Sequence, residues 1–245
     1  MQPDLANILF LDIETVACTD EYTQLSERLK TQWARKSSFF QPGRQSGKTE
    51  GNQTDEEMFH LRAGIYAEFG KIIVIAVGKI YEPEPGKIGL KTRCLFGDDE
   101  KKLLSDFKSL VEKSDQNNLK LCAHNGKEFD FPYLSRRMLV NSIQIPAVLN
   151  HSGKKPWDVP HLDTMEMWKF GDYKHYTSLD LLAAIFNIPT SKSDMDGSKV
   201  NQVYYQEKNL NKIATYCSGD VVALAQLYLK LKGMELIEER FIVAG

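Results

Sequence analysis

The sequence predicts an α/β fold, in which a mixed sheet is flanked by helices on both faces. Three observations indicate this fold: strand-like apolar segments are concentrated in the first half of the chain, strand and helix patterns then alternate, and the remainder is helical. In such folds the carboxyl ends of strands gather at one edge of the sheet, where ligands usually bind. Residues that directly follow the predicted strands are therefore the first candidates for function.

The N-terminal part begins with a predicted strand, the apolar run Ile-Leu-Phe-Leu at 8–11, which ends at Asp12. Residues 21–35 predict a helix, because large apolar side chains recur there every four residues. Residues 41–57 are polar and glycine-rich, which predicts a long surface loop. Only about 40 residues precede this loop, too few for an ordinary independent domain. We therefore expect a single domain over residues 1–245, with a loop excursion at about 41–57.

The middle of the chain contains the clearest strand, KIIVIAVGKIY at 71–81, and a partner strand at 90–96. A helix capped by Asp98 or Asp99 follows, and then a buried strand at 119–123. The next helix is expected from about Phe129 to Asn141.

The last third of the chain is predominantly helical. A short strand is expected to end at Leu162-Asp163, and helices are expected at about 178–187 and 210–231. Asn209 or Asn211 would cap the last helix. With this strand, the predicted sheet has five strands.

Composition excludes several classes of protein. The chain has 31 basic and 33 acidic residues, a formal net charge of -2, so it does not coat nucleic acids or membranes by bulk charge. The hydrophobic content of 42% excludes a disordered chain. Its four cysteines form no C-x-x-C pair, which is typical of reduced thiols. No apolar stretch approaches the ~20 residues of a membrane span, and no signal-peptide pattern is present, so we expect no membrane partner and a cytoplasmic location.

Asp12 and Glu14 are the first candidate site residues. Residues two apart on a strand share a face, so both carboxylates can point at one cation. The same Asp-x-Glu spacing occurs elsewhere in the chain, but only this copy directly follows a buried strand. The alternative is a strand exit with two solvated acids, and this pattern alone leaves it open.

Two further acids lie at comparable positions. Asp130 follows the predicted strand at 119–123 and opens a helix, so it is either a carboxylate directed at the sheet edge, with Asn125 as its neighbour, or an N-cap. Tyr216 and Asp220 lie one turn apart on a helix face. An acid in such an apolar helix usually has a partner or a functional role. Tyr176 has the same spacing to an acid, but at a predicted helix start, where capping explains it.

Clustered carboxylates repel one another unless cations lie between them. Two divalent ions would relieve this repulsion, and sites with oxygen ligands favour Mg²⁺ or Mn²⁺ over zinc. The Tyr216 hydroxyl can then hold an attacking water.

These residues resemble the three motifs of the DEDD 3′–5′ exonucleases. The motifs are Phe-Leu-Asp12-Ile-Glu14-Thr, His-Asn125-x-x-x-Phe-Asp130 and Tyr216-x-x-x-Asp220. The tyrosine indicates the DEDDy branch, since the other branch has a histidine where this chain has Thr215. The segments AGIYAEFGKI, HNGKEFDFPYL, HLDTMEMWKF and SKSDMDGSKV resemble predicted exonucleases that are similar to the proofreading domain of family B DNA polymerases. This resemblance extends from about Ile8 to Leu231.

The resemblance implies an RNase H-like fold with a five-stranded mixed sheet, and two-metal hydrolysis that releases nucleoside 5′-monophosphates from a 3′ end. It implies that Asp12, Glu14, Asp130 and Asp220 bind two Mg²⁺ or Mn²⁺ ions and that Tyr216 orients the water. The terminal nucleotide would be contacted by residues next to these motifs: Ile13, Thr15 and Asn125. The family often has an acid where this chain has Ser218, which does not affect the ligands.

Side chains near the motifs have two interpretations. Phe131 is a candidate for stacking on a base, with a core position as the alternative. The pairs Arg136-Arg137 and Lys154-Lys155 can steer phosphates, although solvated surface is the commoner role of such pairs. Asp163 ends a predicted strand and can support the site from behind, although a purely structural role is the commoner one for such a residue.

The sequence therefore predicts a metal-dependent 3′–5′ exonuclease acting on single-stranded ends, with DNA preferred over RNA. An RNase D-like exoribonuclease and a non-catalytic nucleic-acid-binding module on the same fold are the alternatives. No protein partner is indicated.

Overall fold

The protein is described by a computed structural model that covers residues 3–40, 53–114, 118–172, 176–190 and 195–245. The strands of the sheet are β1 (Ile8–Ala17), β2 (Gly70–Tyr81), β3 (Gly89–Phe96), β4 (Lys120–Ala123), β5 (Leu162–Asp163) and β6 (Ile242–Ala244). The longer helices are α2 (Glu27–Ser38), α3 (Asp55–Arg62), α4 (Glu100–Lys113), α5 (Asp130–Val140) and α9 (Leu210–Leu231). The shorter ones are α1 (Pro3–Ala6), α6 (Thr164–Lys169), α7 (Leu179–Ile185) and α8 (Val200–Tyr205).

The sheet is mixed, with strand order β5-β4-β1-β2-β3-β6. The central pairs β1–β2 and β2–β3 are antiparallel, whereas β4, β5 and β6 add in parallel. This confirms the predicted α/β class with a mixed sheet. Within the described ranges the sheet has six strands rather than five, because Ile242–Ala244 pairs with the edge of β3. Three residues are too short for a period-2 pattern, so the sequence does not reveal this strand.

Helices cover both faces of the sheet. On one face α9 packs against alternate residues of β1 and β2, including Phe10 and Val74. On the other face α4 and α5 pack against the intervening residues, including Leu11 and Ile75. The two core clusters show that neighbouring residues of β1 point in opposite directions, as a strand requires.

The predicted loop at 41–57 is shorter than expected. Residues 41–52 lie outside the described residues, but Asp55–Glu57 form the first turn of α3 and not a loop. A capping box begins this helix: the Thr54 hydroxyl accepts from the Glu57 N–H, and the Glu57 carboxylate accepts from the Thr54 N–H. The Thr-x-x-Glu spacing was visible in the sequence, but the polar composition around it obscured the helix start.

Other helix starts follow their capping residues. Asp99 caps α4, Ser178 caps α7 and Asn209 caps α9, each by accepting a backbone N–H two or three residues into the helix. The helix predicted at 21–35 begins later, because Ser26 is the cap of α2. In the described part of the chain, no helix is both long and apolar enough to cross a bilayer.

A buried ion pair joins α4 to α5. The Glu100 carboxylate accepts from Arg137 Nε at 2.8 Å and Nη2 at 2.6 Å, and also from the Ile72 N–H at 2.8 Å. Arg137 in turn donates through Nη1 to the Ala67 carbonyl at 2.9 Å. Both side chains are about nine-tenths buried. Arg137 therefore holds the fold together, and the interpretation of Arg136-Arg137 as a phosphate-steering pair is wrong for Arg137.

Candidate active site

Asp12 and Glu14 lie within β1, on the face that α9 covers. The strand extends to Ala17, so both acids are inside it rather than beyond its end as the sequence suggested. The β1–β2 register shifts between Glu14 and Thr15, because β2 places one extra residue, Ile73, opposite this point. Such bulges increase the local twist of a strand and are over-represented next to active sites.

Helix α9 brings three more polar side chains to the same place. Cys217 Sγ donates to Asp12 Oδ2 at 3.1 Å. Ligand atoms of Asp12, Glu14 and Cys217 all lie within 4.8 Å of one another. One turn along the helix, the Tyr216 hydroxyl is hydrogen-bonded to the Asp220 carboxylate. Sequence reasoning missed Cys217, although its place between Tyr216 and Asp220 on the buried side of an amphipathic helix was a usable signal.

Asp130 approaches from the N-terminus of α5 and is only 3% exposed. Strand β4 pairs with β1 only from Ile8 to Phe10, so β4 does not cover the edge of β1 at Ile13. The Asp130 carboxylate accepts hydrogen bonds there from the backbone N–H groups of Ile13 and of Asp130 itself. Among the described residues its Oδ1 has no hydrogen-bond partner. A buried carboxylate oxygen without a partner is costly, and a cation would relieve that cost.

The four carboxylates influence one another electrostatically, which shows that the structure brings them together. The pKa values of Asp12 and Glu14 are raised, first by burial and then by the charges of the other acids of the group. Burial also raises the pKa of Asp130 to about 7 and that of Asp220 to about 6. A site in which the charges of Asp130 and Asp220 reach the buried carboxylates of Asp12 and Glu14 is typical of a divalent-cation site.

These shifts predict an unusual pH dependence of stability for the metal-free protein. Between about pH 4 and 7 folded Asp130 binds a proton more readily than the same residue does in the unfolded chain. Its contribution to the free energy of unfolding therefore increases as the pH falls through 7. We expect the melting-temperature difference between wild type and Asp130→Asn, measured in EDTA, to narrow from pH 8 to about pH 5. Mn²⁺ at pH 8 should raise the melting temperature of the wild type.

Subtracting the Asp130→Asn variant is necessary because other groups titrate in the same range. The buried His161 has a pKa lowered to about 4, mainly by burial, so it destabilises the folded state as the pH falls. If the melting-temperature difference between wild type and Asp130→Asn does not change with pH, Asp130 has the same pKa in the folded and unfolded protein.

Asp163 positions the turn that carries Asn125 toward the site. Its carboxylate accepts from the Asn125 N–H at 3.0 Å and the Lys127 N–H at 3.1 Å, and it also caps α6 through the Met165 N–H at 2.9 Å. Asn125 has a left-handed backbone with φ 61°, and its buried Oδ1 has no partner among the described residues. Asp163 thus has the structural role that the sequence favoured: it holds the turn that carries Asn125.

The other residues that were predicted to contact the nucleotide lie in different environments. The Thr15 hydroxyl donates to the Gly64 carbonyl at 2.7 Å, and the Ile13 side chain is buried in the core on the α5 face. Phe131 is 3% exposed, and its ring packs edge-on to His161 at 4.9 Å. The stacking role predicted for Phe131 is therefore not supported: one position after Asp130 on the helix, its side chain points into the core.

Tyr176 is a site residue that sequence reasoning set aside. It is 66% exposed, and its ring lies edge-on to His124 at 6.4 Å. The next residue, Thr177, accepts through its carbonyl from His124 Nε2 at 2.7 Å, which fixes the segment beside the motif. After burial, the charges of Asp130, Asp12 and Asp220 raise the pKa of the Tyr176 hydroxyl, so this exposed ring lies within electrostatic range of the carboxylate cluster.

The donor set fits divalent cations. Carboxylate oxygens are hard ligands that suit Mg²⁺ and Mn²⁺, and a cation between these acids would relieve both their mutual repulsion and the unpartnered oxygen of Asp130. The Cys217 thiol has a pKa raised well above its ordinary value by burial and by Asp12, so it stays protonated and acts as a hydrogen-bond donor rather than as a thiolate ligand.

Comparison with protein families identifies the chain. A family described as a predicted 3′–5′ exonuclease related to the exonuclease domain of PolB matches residues 65–241. The chain belongs to this family. The matched region contains the PolB-related motif residues Asn125, Asp130, Tyr216 and Asp220 but begins after β1, and it is the pairing of β1 with β2 and β4 that adds Asp12 and Glu14 to them.

A solved structure shows the same fold. The chain is similar to the family B DNA polymerase from the hyperthermophilic archaeon Pyrobaculum calidifontis, with 14% identity and a TM-score of 0.52 over 92% of this chain. The chain spans only 24% of that polymerase. A search of curated proteins gave no match. The PolB-like resemblance and the RNase H-like fold are thus confirmed.

Proposed function

We propose that this chain is a metal-dependent 3′–5′ exonuclease that hydrolyses single-stranded DNA ends to nucleoside 5′-monophosphates. One observation carries the proposal: four carboxylates from three separate elements, Asp12, Glu14, Asp130 and Asp220, converge beside Tyr216. Membership of the PolB-related exonuclease family supports the reaction class. We further propose that residues 1–245 form one exonuclease domain.

The four carboxylates would hold two divalent cations, with Asp12 shared between them because it interacts with both Asp130 and Asp220. When bound, such cations activate water and offset the negative charge that builds up on a phosphoryl group. Because Asp130 and Asp220 already have raised pKa values, these ligands lose protons most readily when positive charge is close.

Tyr216 would orient the attacking water. Burial and the neighbouring carboxylates raise the pKa of its hydroxyl, so the phenol stays protonated at neutral pH and cannot act as a base. Its hydrogen bond to Asp220 fixes the direction of the hydroxyl. The proton of the water must then pass to a carboxylate of the cluster or to solvent.

Replacing Tyr216 by phenylalanine tests this role. The ring and its packing remain, but the hydroxyl that would hold the water is lost. We expect kcat on a single-stranded oligonucleotide to fall roughly 100-fold with little change in KM. Tyr228→Phe, another tyrosine of α9, is the matched control and should keep its rate. An equal loss in both variants would argue against a specific role for Tyr216.

The terminal nucleotide would contact Asn125, Thr15 and Tyr176 at the mouth of the cluster. Tyr176 offers an exposed ring to a base or sugar next to the scissile phosphate. We expect Tyr176→Ala to raise KM several-fold and Tyr176→Phe to retain the wild-type KM, since stacking needs the ring and not the hydroxyl. Steady-state kinetics on one oligonucleotide measure both. An unchanged KM in Tyr176→Ala would place the substrate elsewhere.

Labelled DNA and RNA oligonucleotides of one sequence test the substrate. We expect nucleoside 5′-monophosphates from the 3′ end of DNA with Mn²⁺ or Mg²⁺, slower release from RNA, and no release from either by Asp12→Ala. Faster degradation of RNA would favour the RNase D-like alternative. A wild-type protein that binds oligonucleotides but releases no nucleotide from either polymer would instead be a binding module.

A further inference from the structure

A pocket of about 410 Å³ lies on the outer face of α5, against the segment from Ile145 to Val159. Its volume is within the range of protein ligand sites. Its floor is aliphatic, made by side chains from both elements: Pro132, Leu139, Ile145, Leu149 and Val159. The lining contains neither the four carboxylates nor Tyr216, so the pocket is separate from the candidate active site.

The rim of this α5 pocket is basic. Lys127, Arg136 and Lys154 line it, and no acidic residue does so in the described part of the chain. Arg136 and Lys154 are exposed, whereas Lys127 is paired with Glu166 at 2.8 Å. In a chain whose formal net charge is -2, this local excess of positive charge favours an anionic ligand.

Apolar surface continues past the rim. Leu139 is 64% exposed and Val140 is 62% exposed, on the side of α5 that turns away from the core. Large side chains of this kind, next to a pocket and bordered by polar groups, are typical of protein interaction sites. His151 also lines the pocket.

The shape of the lining favours a peptide over a nucleotide. Bases stack mainly on flat aromatic rings, whereas this lining is mainly aliphatic and the guanidinium of Arg136 lies at the rim. Phe131, the phenyl ring in the lining, is 3% exposed and packs edge-on to His161. An aliphatic floor with cations around it is complementary to an apolar side chain flanked by carboxylates.

We propose that the α5 pocket binds an acidic segment of a partner protein, which inserts one apolar side chain between Leu139 and Ile145 while its carboxylates contact Arg136 and Lys154. The binding does not require nucleic acid or divalent cations. The pocket would thus bring the partner to the protein independently of the carboxylate cluster.

Fluorescence anisotropy with labelled peptides tests the proposal in EDTA. The probe Asp-Glu-Asp-Asp-Leu-Phe should bind saturably. A probe with serine in place of leucine and phenylalanine, and one with asparagine and glutamine in place of the acids, should each bind at least about tenfold more weakly. Binding of the first probe should also weaken with added salt, because the rim contacts are charged.

Variants of the exposed residues locate the binding. Two pocket variants should weaken the binding of the first probe about tenfold or more. They are Leu139→Ser and the double variant Arg136→Glu with Lys154→Glu. Two control variants should not weaken the binding: Leu61→Ser, an equally exposed leucine on α3, and Lys79→Glu with Lys101→Glu, which makes the same change in charge elsewhere. Leu139→Ser and the two control variants should degrade a short oligonucleotide at the wild-type rate.

Two results would overturn the proposal. One is the absence of saturable binding by the acidic apolar probe to wild type, or binding that the pocket variants do not weaken. The other is that Leu139→Ser weakens the binding of a fluorescent oligothymidylate in Ca²⁺ but does not weaken peptide binding. The pocket would then bind the nucleic acid. Because the peptide measurement needs no hydrolysis, failure of the exonuclease assignment would leave it interpretable.

Discussion

Replacing Asp12 by asparagine should lower the rate of nucleotide release by about 10³-fold or more, because it removes the central ligand of the proposed cation site. Asp12 interacts with Asp130 and Asp220 and accepts a hydrogen bond from Cys217, so it contacts side chains or charges from both α5 and α9. The change keeps the shape of the side chain. Initial rates on a 5′-labelled oligodeoxynucleotide, resolved on a denaturing gel, measure the effect.

The same variant should not lose stability in the absence of metal. Burial and the neighbouring acids raise the pKa of Asp12, so the folded protein tolerates the charge poorly and a neutral side chain relieves it. We expect the melting temperature of Asp12→Asn in EDTA at pH 8 to equal or exceed that of the wild type. Asp106→Asn, an exposed acid on α4, is the control for both measurements. Activity of Asp12→Asn within about threefold of the wild type would contradict the proposed role.

Replacing Arg137 by leucine should lower the free energy of unfolding by about 3–5 kcal/mol, the usual cost of removing one partner of a buried ion pair. Glu100 would keep its hydrogen bonds from Ile72 and Asn141 but would remain a buried charge without its cation. The Ala67 carbonyl would also lose its donor. Urea denaturation followed by circular dichroism measures the loss.

Arg136 provides a matched control for this change. It is adjacent to Arg137 in sequence but its side chain is exposed, so Arg136→Leu should change the free energy of unfolding by less than about 0.5 kcal/mol. If the two leucine variants unfold at the same urea concentration, the ion pair with Glu100 does not stabilise the fold as described.

Periodicity predicted the elements that carry the acids. The apolar run before Asp12, the strand before Asn125 and the amphipathic helix around Asp220 all have enough length for their pattern to be recognised. Each pattern also places its acid at a defined position on a face. Bringing these faces together needed either the family resemblance or the structure, because spacing within one element contains no information about its neighbours.

The misses have physical reasons of three kinds. Phe131 directly follows Asp130, and a rotation of about 100° per residue in a helix turns its side chain away from the acid. Tyr176 depends on the path of an irregular segment, which the hydrogen bond between His124 and Thr177 fixes. Cys217 contributes through hydrogen bonds to the carbonyl and the carboxylate of Asp12; its position on the buried side of α9 was visible in the sequence, but its partner was not.

Arg136 and Arg137 show that two adjacent basic residues can have different roles in the folded protein. Adjacent arginines at 136 and 137 lie on different sides of α5, one exposed at the pocket and one buried against Glu100. Their sequence pattern is that of a solvated pair, and only the packing of α4 against α5 separates their roles.

Anomalous diffraction from a crystal soaked in Mn²⁺ with a nucleoside 5′-monophosphate tests the central claim most directly, because it locates the cations. We expect two anomalous peaks about 3.5–4 Å apart, with Asp12 contacting both and Glu14, Asp130 and Asp220 completing the site. The phosphate should lie against the peaks, within reach of Tyr216. Absence of any anomalous peak between Asp12 and Asp220 at saturating Mn²⁺ would contradict the account.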